Sequence, residues 1–179
     1  MAKRFLLTAG GVDRKGIVFN LANVLKKNGF NIEDSSMVMM RRTFSVIMLL
    51  SSKTRPSAGF QKELDIFMKK YKMAAGISEV TEKDMREYSG DNRYMISISG
   101  ADKKGIVSAM TGVVYKFGGN ITGLETKSSE KVKPHAYYMF IEADMPKKTG
   151  VKGMEAALAP AAKKLGVHVS VNRVESSAL

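Results

Sequence analysis

The chain has 179 residues, 44% hydrophobic and 26% charged, which excludes a disordered, collagenous or coiled-coil chain and fits one domain or two small ones. It has no cysteine and only two histidines, His135 and His168, so disulfides, thiol nucleophiles, thiolate zinc sites and histidine-rich metal sites are excluded and no cofactor is expected. The net charge of +12 attracts polyanions, but it is shared between the halves (+7 over residues 1–90, +5 over 91–179) and no basic run exceeds two residues, which describes a basic surface rather than a dedicated nucleic-acid face.

The N-terminus begins Met1-Ala2-Lys3-Arg4, and the apolar stretch from Phe5 to Ala9 meets Gly10-Gly11-Val12-Asp13 at once. It is shorter than a signal-peptide core of roughly 7–15 residues and reads as a first strand. No segment approaches the roughly 18 apolar residues that cross a bilayer, so no membrane association and a cytoplasmic location are expected.

An internal repeat organises everything that follows. Residues 5–32, FLLTAGGVDRKGIVFNLANVLKKNGFNI, align without a gap on residues 94–121, YMISISGADKKGIVSAMTGVVYKFGGNI, at an offset of 89. Eleven of the 28 positions are identical, among them Gly11/Gly100, Asp13/Asp102, Gly16/Gly105, Ile17/Ile106, Gly29/Gly118 and Asn31/Asn120. The chain is two copies of one unit: a first domain over 1–84, a linker over 85–92 with a Ser89-Gly90-Asp91-Asn92 turn cluster, and a second domain over 93–179.

In chain order, each copy opens with a short strand (Phe5–Ala9; Tyr94–Ser99) and a Gly-x-Asp-x-x-Gly-Ile turn. Ile17, Leu21, Val24 and Leu25 then share one helical face, as do Ile106, Met110, Val113, Val114 and Phe117. Asp13 and Asp102 precede Gly16 and Gly105 by the spacing of an N-cap carboxylate, so this helix is expected to begin within about two residues of them. Gly29 and Gly118 suit a left-handed residue after the helix.

Strand two is read over Ile32–Met40 and Ile121–Lys127, and strand three over Phe44–Leu50 and Ala136–Ala143. A second helix follows Ser57 in the first copy and Thr149 in the second, where Pro160 should kink or split it. Final strands run over Gly76–Thr81 and Val167–Val174. Met37, Met39, Met40, Met48 and Met139 read as adaptable core filler. His168 reads as a solvent-facing strand residue, and Lys127–Lys133, before Pro134-His135, as a charged hairpin loop. The order β-α-β-β-α-β, twice, gives an α+β chain of two tandem ferredoxin-like domains, antiparallel sheets with helices on one face.

A βαββαβ unit with Gly-x-Asp-[basic]-x-Gly-Ile-Val at its first turn and Gly-[Phe/Gly]-Asn-Ile before strand two resembles an ACT domain. Both motifs occur in both copies, which together cover nearly the whole chain. Tandem units without an attached enzyme resemble the group of the glycine cleavage system transcriptional repressor. The family commonly has proline after Asp-Arg; here Lys15 and Lys104 stand there.

The resemblance implies a noncatalytic regulator that binds an amino-acid-like effector, often at an interface between ACT units, with a homodimer and a regulatory protein partner as expected associates. Carried over by position, the implied ligand-binding residues are Gly11, Asp13, Gly16, Ile17 and Asn31, and Gly100, Asp102, Gly105, Ile106 and Asn120. The chemistry is coherent: unpaired amides at a helix start suit a carboxylate, an aspartate accepts from an ammonium, and an asparagine amide does both. Capping alone also explains Asp13 and Asp102, and tolerance of an unusual backbone explains Asn31 and Asn120.

Two other functions are compatible with a fold of this kind. A basic ferredoxin-like nucleic-acid-binding protein needs exposed aromatics on central strands; Phe44 in copy one and Tyr137, Tyr138 and Phe140 in copy two are the candidates, without an Arg-Gly-Phe pattern, so direct nucleic-acid binding is not expected. An acylphosphatase-like enzyme needs an arginine anion cradle, but Arg14 has only Lys103 opposite it, and no nucleophile–base pair stands out.

Overall fold

The computed structural model describes residues 2–85, 92–129 and 135–174. The chain divides into two compact units, Met1–Arg86 and Glu87–Leu179. Most of the expected linker, and residues 130–133 of the expected charged loop, lie outside the described residues; residues 127–129 of that loop are instead part of the strand before it.

Unit 1 runs β1 (Lys3–Val12), α1 (Ile17–Lys27), β2 (Asn31–Met40), β3 (Thr43–Ser52), α2 (Ala58–Tyr71) and β4 (Met73–Val80). Unit 2 repeats the order with β5 (Asn92–Ala101), α3 (Ile106–Lys116), β6 (Asn120–Ser129), β7 (Ala136–Met145), α4 (Val151–Leu165) and β8 (Val167–Val174). The sheets are antiparallel, ordered β2-β3-β1-β4 and β6-β7-β5-β8, so β2 and β6 are edge strands.

Alternation along the central strands sets the core. In unit 1, Phe5, Leu7, Val46, Met48 and Leu50 are buried together with Leu21 and Leu25 of α1 and Phe60 and Leu64 of α2. In unit 2 the matching set is Tyr94, Ile96, Ile98, Met139 and Ile141 with Met110, Val114, Met154 and Leu158. Each such side chain contributes about 1.5–3 kcal/mol of transfer free energy, so the helices are held on one face of each sheet. Strands one and three extend beyond their apolar runs because their polar ends still pair across the ladder.

Helix boundaries differ from the sequence reading in one respect and follow it in another. α1 and α3 begin at Ile17 and Ile106, four residues after the aspartates, with Gly16 (φ 85°) and Gly105 (φ 91°) at the N-cap and no side-chain cap. Asp13 and Asp102 are therefore not caps: a turn intervenes and the left-handed glycine takes the position. Ser57 does cap α2, its Oγ accepting from the Phe60 N–H at 3.1 Å.

Both first helices end as expected. Gly29 (φ 78°) donates to Lys26 and Phe30 to Leu25; Gly118 (φ 72°) donates to Tyr115 and Gly119 to Val114. This paired 5→2 and 6→1 bonding is the Schellman ending. Pro160 does not split α4, which is continuous. The proline is exposed, while Met154, Leu158 and Ala162 hold the opposite side in the core.

Three of the five strand methionines are not core filler. Met48 and Met139 are buried, but Met37, Met39 and Met40 are 52%, 54% and 70% exposed on edge strand β2. His168 is exposed, as expected.

The units fill the space below the first helix differently. In unit 1, Phe30 packs edge-on against Phe5 at 5.8 Å and tilted against Phe60 at 4.7 Å, and Ser52 ends β3. In unit 2 the residue after the left-handed glycine is Gly119, and Met145 ends β7. A Cβ at Gly119 would meet the Met145 Sδ and, at 2.8 Å, the Val114 Cγ1. Gly119→Ala is therefore expected to cost about 1–3 kcal/mol by overpacking, and Met145→Ala about 2–5 kcal/mol by leaving a cavity. In urea denaturation the double variant should lose clearly less than the sum, because the shorter side chain vacates the space that the new methyl needs.

Candidate functional site

Each unit presents the same turn between its first strand and first helix. The Asp13 N–H donates to the Arg42 carbonyl at 2.9 Å, and the Asp102 N–H to the His135 carbonyl at 2.9 Å. The turn is thus tied to the far end of the β2–β3 hairpin, and in unit 2 to the start of β7. The uncapped starts of α1 and α3 leave first-turn amides facing an exposed surface formed by Asp13–Gly16 and Asp102–Gly105. These amides and the positive end of the helix dipole suit a carboxylate.

The site residues divide into groups with different jobs. Gly11 and Gly100 are positions of close approach: a Cβ at Gly11 would meet Met73 Cγ at 2.8 Å and the Lys72 carbonyl at 3.0 Å, and one at Gly100 the Gly166 carbonyl at 3.0 Å. Gly16 and Gly105 supply the left-handed backbone. The Gly16 carbonyl accepts from Asn20 Nδ2 at 2.7 Å. Ile17 and Ile106 are buried, so their side chains belong to the core and only their backbone faces the turn.

Asp13 is exposed, and among the described residues its carboxylate accepts no hydrogen bond. Asp102 Oδ2 accepts from Ser128 Oγ at 2.9 Å. Burial, and next the Asp102 charge, push the Tyr137 phenol above its ordinary range. Ser128, on β6, was missing from the sequence reading; only the register of β6 beside the turn reveals it.

Asn31 and Asn120 do not join these groups. Each opens its second strand beyond an eleven-residue helix, which places it about 16 Å along the helix axis from the first turn of its own unit. Asn31 stands in register with Ser51, near Glu33, whose carboxyl is held below the usual range first by its hydrogen bond from Arg4 and then by Ser51. Asn120 stands in register with Asp144, a buried carboxylate that accepts from Arg93 Nε at 2.9 Å.

The ACT domain family profile matches residues 3–78, so unit 1 is an ACT domain, and unit 2, built on the same repeat, is a second ACT-like domain. Among individual proteins, the chain is 26% identical over 183 residues to the glycine cleavage system transcriptional repressor of Escherichia coli strain K12, covering 96% of this chain and 90% of that one. An unknown protein from Galdieria sulphuraria superposes with a TM-score of 0.78 at 25% identity, over 98% of this chain and all of that one. A candidate glycine cleavage system transcriptional repressor superposes with a TM-score of 0.66 at 18% identity, over 98% and 99%, and shares the fold. The chain thus carries an ACT domain and is similar to that repressor along nearly its whole length. Among the described residues no helix is long and apolar enough to cross a membrane.

The turn geometry makes a stability prediction. Gly16→Ala and Gly105→Ala place a Cβ in the left-handed region and should each cost about 1–2 kcal/mol. Asp13→Ala and Asp102→Ala should each cost less than Ser57→Ala, which removes a true cap worth about 1 kcal/mol. Thermal denaturation of the five variants checks the order.

Proposed function

We propose that the chain is a noncatalytic, cytoplasmic sensor of a free amino acid or similar zwitterionic metabolite, which acts by ligand-biased pairing of ACT units and passes the signal on by protein contact. The observation that carries this reading is the separation of the two halves of the site within a unit. The Asp13 turn and Asn31 stand at opposite ends of α1, so one unit cannot close both around a small ligand.

An antiparallel partner on β2 solves that problem. All ten residues of β2 are exposed, and Ile32, Met37, Val38, Met39 and Met40 are apolar. An exposed edge of this kind is a template for another strand. Laid antiparallel against β2 of a second copy, the Asn31 end meets the Met40–Arg42 end of the other copy, to which the Asp13 turn is hydrogen-bonded. The acidic start of β2 (Glu33, Asp34) then faces the basic residues that follow it (Arg41, Arg42), so the pairing is complementary in charge.

In such a site the first-turn amides of α1 take the carboxylate, Asp13 takes the ammonium, and Asn31 of the other copy closes the polar shell. In unit 2 the Ser128 hydroxyl already occupies Asp102, which favours Asp13 as the stronger ammonium acceptor. The nucleic-acid reading gains little: Phe44 and Tyr137 are buried, and the two exposed candidates, Tyr138 (46%) and Phe140 (40%), stand in register with Lys127 and Glu125, which pair with each other at 2.8 Å, so the patch offers a polyanion no net positive charge there.

A thermal-shift screen of the common amino acids should give at least one that raises the melting temperature. Calorimetry with that amino acid should show affinity falling about tenfold to a hundredfold in Asp13→Asn, and less in Asp102→Asn. The double variant Met37→Lys, Met39→Lys should be monomeric in the ultracentrifuge and lose binding. No stabilising amino acid, or full affinity in a monomeric variant, would refute the proposal.

A further inference from the structure

At the opposite end of α3 from the Gly105 turn, unit 2 holds a cavity of about 600 Å³ between the end of α3 and the start of α4. Its wall includes Lys116, Phe117, Pro146, Lys148, Thr149 and Gly153, and no acidic side chain lines it. We propose that this cavity is a second ligand site, distinct from the turn, that binds the phosphate group of a small phosphorylated metabolite.

Three observations converge on an oxyanion. The first is α4 itself, fifteen residues long, with Gly150 at its N-cap and no side-chain cap. The Met154 N–H is bonded to the Gly150 carbonyl, but no side chain serves the preceding amides of Val151, Lys152 and Gly153. In unit 1 the corresponding helix is closed by Ser57. Gly153 has nothing within 4 Å of the place a Cβ would take, so a ligand can approach the backbone there.

The second is Thr149. It is only 7% exposed, and both its backbone groups are committed: its N–H donates to the Pro146 carbonyl at 2.9 Å, and its carbonyl accepts from the Tyr94 hydroxyl at 2.7 Å. Its side-chain hydroxyl has no hydrogen-bond partner among the described residues. No buried side-chain polar atom there lacks a partner, so this hydroxyl reaches the surface of the cavity that Thr149 lines. A hydroxyl on a nearly buried residue, open to the cavity and unpartnered beside uncapped amides, is an arrangement that a phosphate oxygen completes.

The third is charge and shape. Lys116 and Lys148 bring two cations to the rim, while Phe117 and Pro146 give an apolar wall beside the polar pole. A bare anion uses the lysines, amides and hydroxyl; an attached organic group would cover the ring of Phe117, which is 39% exposed.

The test is a titration of the full chain with inorganic phosphate, phenyl phosphate and acetate at constant ionic strength, read by amide chemical shifts. Phosphate should shift the Val151, Lys152 and Gly153 amides saturably, phenyl phosphate should bind more tightly, and acetate should bind more weakly than either. Thr149→Val keeps the backbone bond to Tyr94 and should bind phosphate several-fold more weakly; Lys116→Gln with Lys148→Gln should weaken it about tenfold or more. Lys163→Gln with Lys164→Gln removes the same charge elsewhere and should leave the affinity unchanged. No saturable shift at these amides overturns the proposal. So does equal weakening in the two double-lysine variants, or full affinity in Thr149→Val. None of these outcomes depends on the amino-acid response of the Asp13 turn.

Discussion

The first helix of each unit is bounded at both ends by left-handed glycine, and this constraint fixes the rest. Gly16 and Gly29 bracket α1; Gly105 and Gly118 bracket α3. A residue with a Cβ pays at each of these positions, and a helix that grew or shrank by one residue would misplace both turns and its buried stripe. The helices therefore share a length of eleven residues. That length holds the amide-rich turn and the asparagine of the second strand at a fixed separation, too large for one small ligand. In the proposed site, this separation is what calls for a neighbouring edge.

Much of the fold was legible because the repeat doubles every signal. Helical spacing of Ile17, Leu21 and Leu25 reappears in Ile106, Met110 and Val114, and all six are buried. The capping reading failed for a local reason. Asp13-Arg-Lys-Gly16 has the spacing of a capped helix, yet the chain makes a further turn before the helix, and glycine rather than aspartate takes the cap because its backbone is left-handed there. The methionines failed for a nonlocal reason. A strand rich in Met and Val reads alike at an edge and in the centre, and only the order β2-β3-β1-β4 shows that Met37, Met39 and Met40 have no neighbour on one side. Ser128 and Thr149 had no signal of their own; a hydroxyl becomes informative once its partner, or its lack of one, is known.

The repeat also shows how two copies of a fold diverge without losing it. One difference between the copies lies in packing that several residues share. Phe30 with Ser52, and Gly119 with Met145, are alternative fillings of the same region, one by a ring from below the helix and the other by a thioether from the strand end. Neither pair tolerates exchange of one member, since the ring would strike the methionine or the glycine would leave a void. Ser57 and Gly150 differ in another way: one closes a helix start and the other leaves it open. Packing forced the first kind of divergence. It did not force the second, so the open helix start in unit 2 is the difference that calls for a functional explanation.

The two second strands differ in what they offer a neighbouring strand. β2 exposes a nearly uninterrupted apolar run over its second half, whereas β6, its counterpart, carries Glu125, Thr126, Lys127, Ser128 and Ser129 there, with Lys127 paired to Glu125 at 2.8 Å. Charged residues on an edge strand discourage further pairing. If β2 and β6 were both adhesive, each chain could take more than one neighbour and the pairing would propagate. With one adhesive edge, antiparallel pairing of like strands closes after two chains, because a two-fold contact uses the same surface on both partners. In the proposed assembly the polar β6 complements the apolar β2: it offers no second apolar edge of that kind, so pairing through β2 stops at two chains.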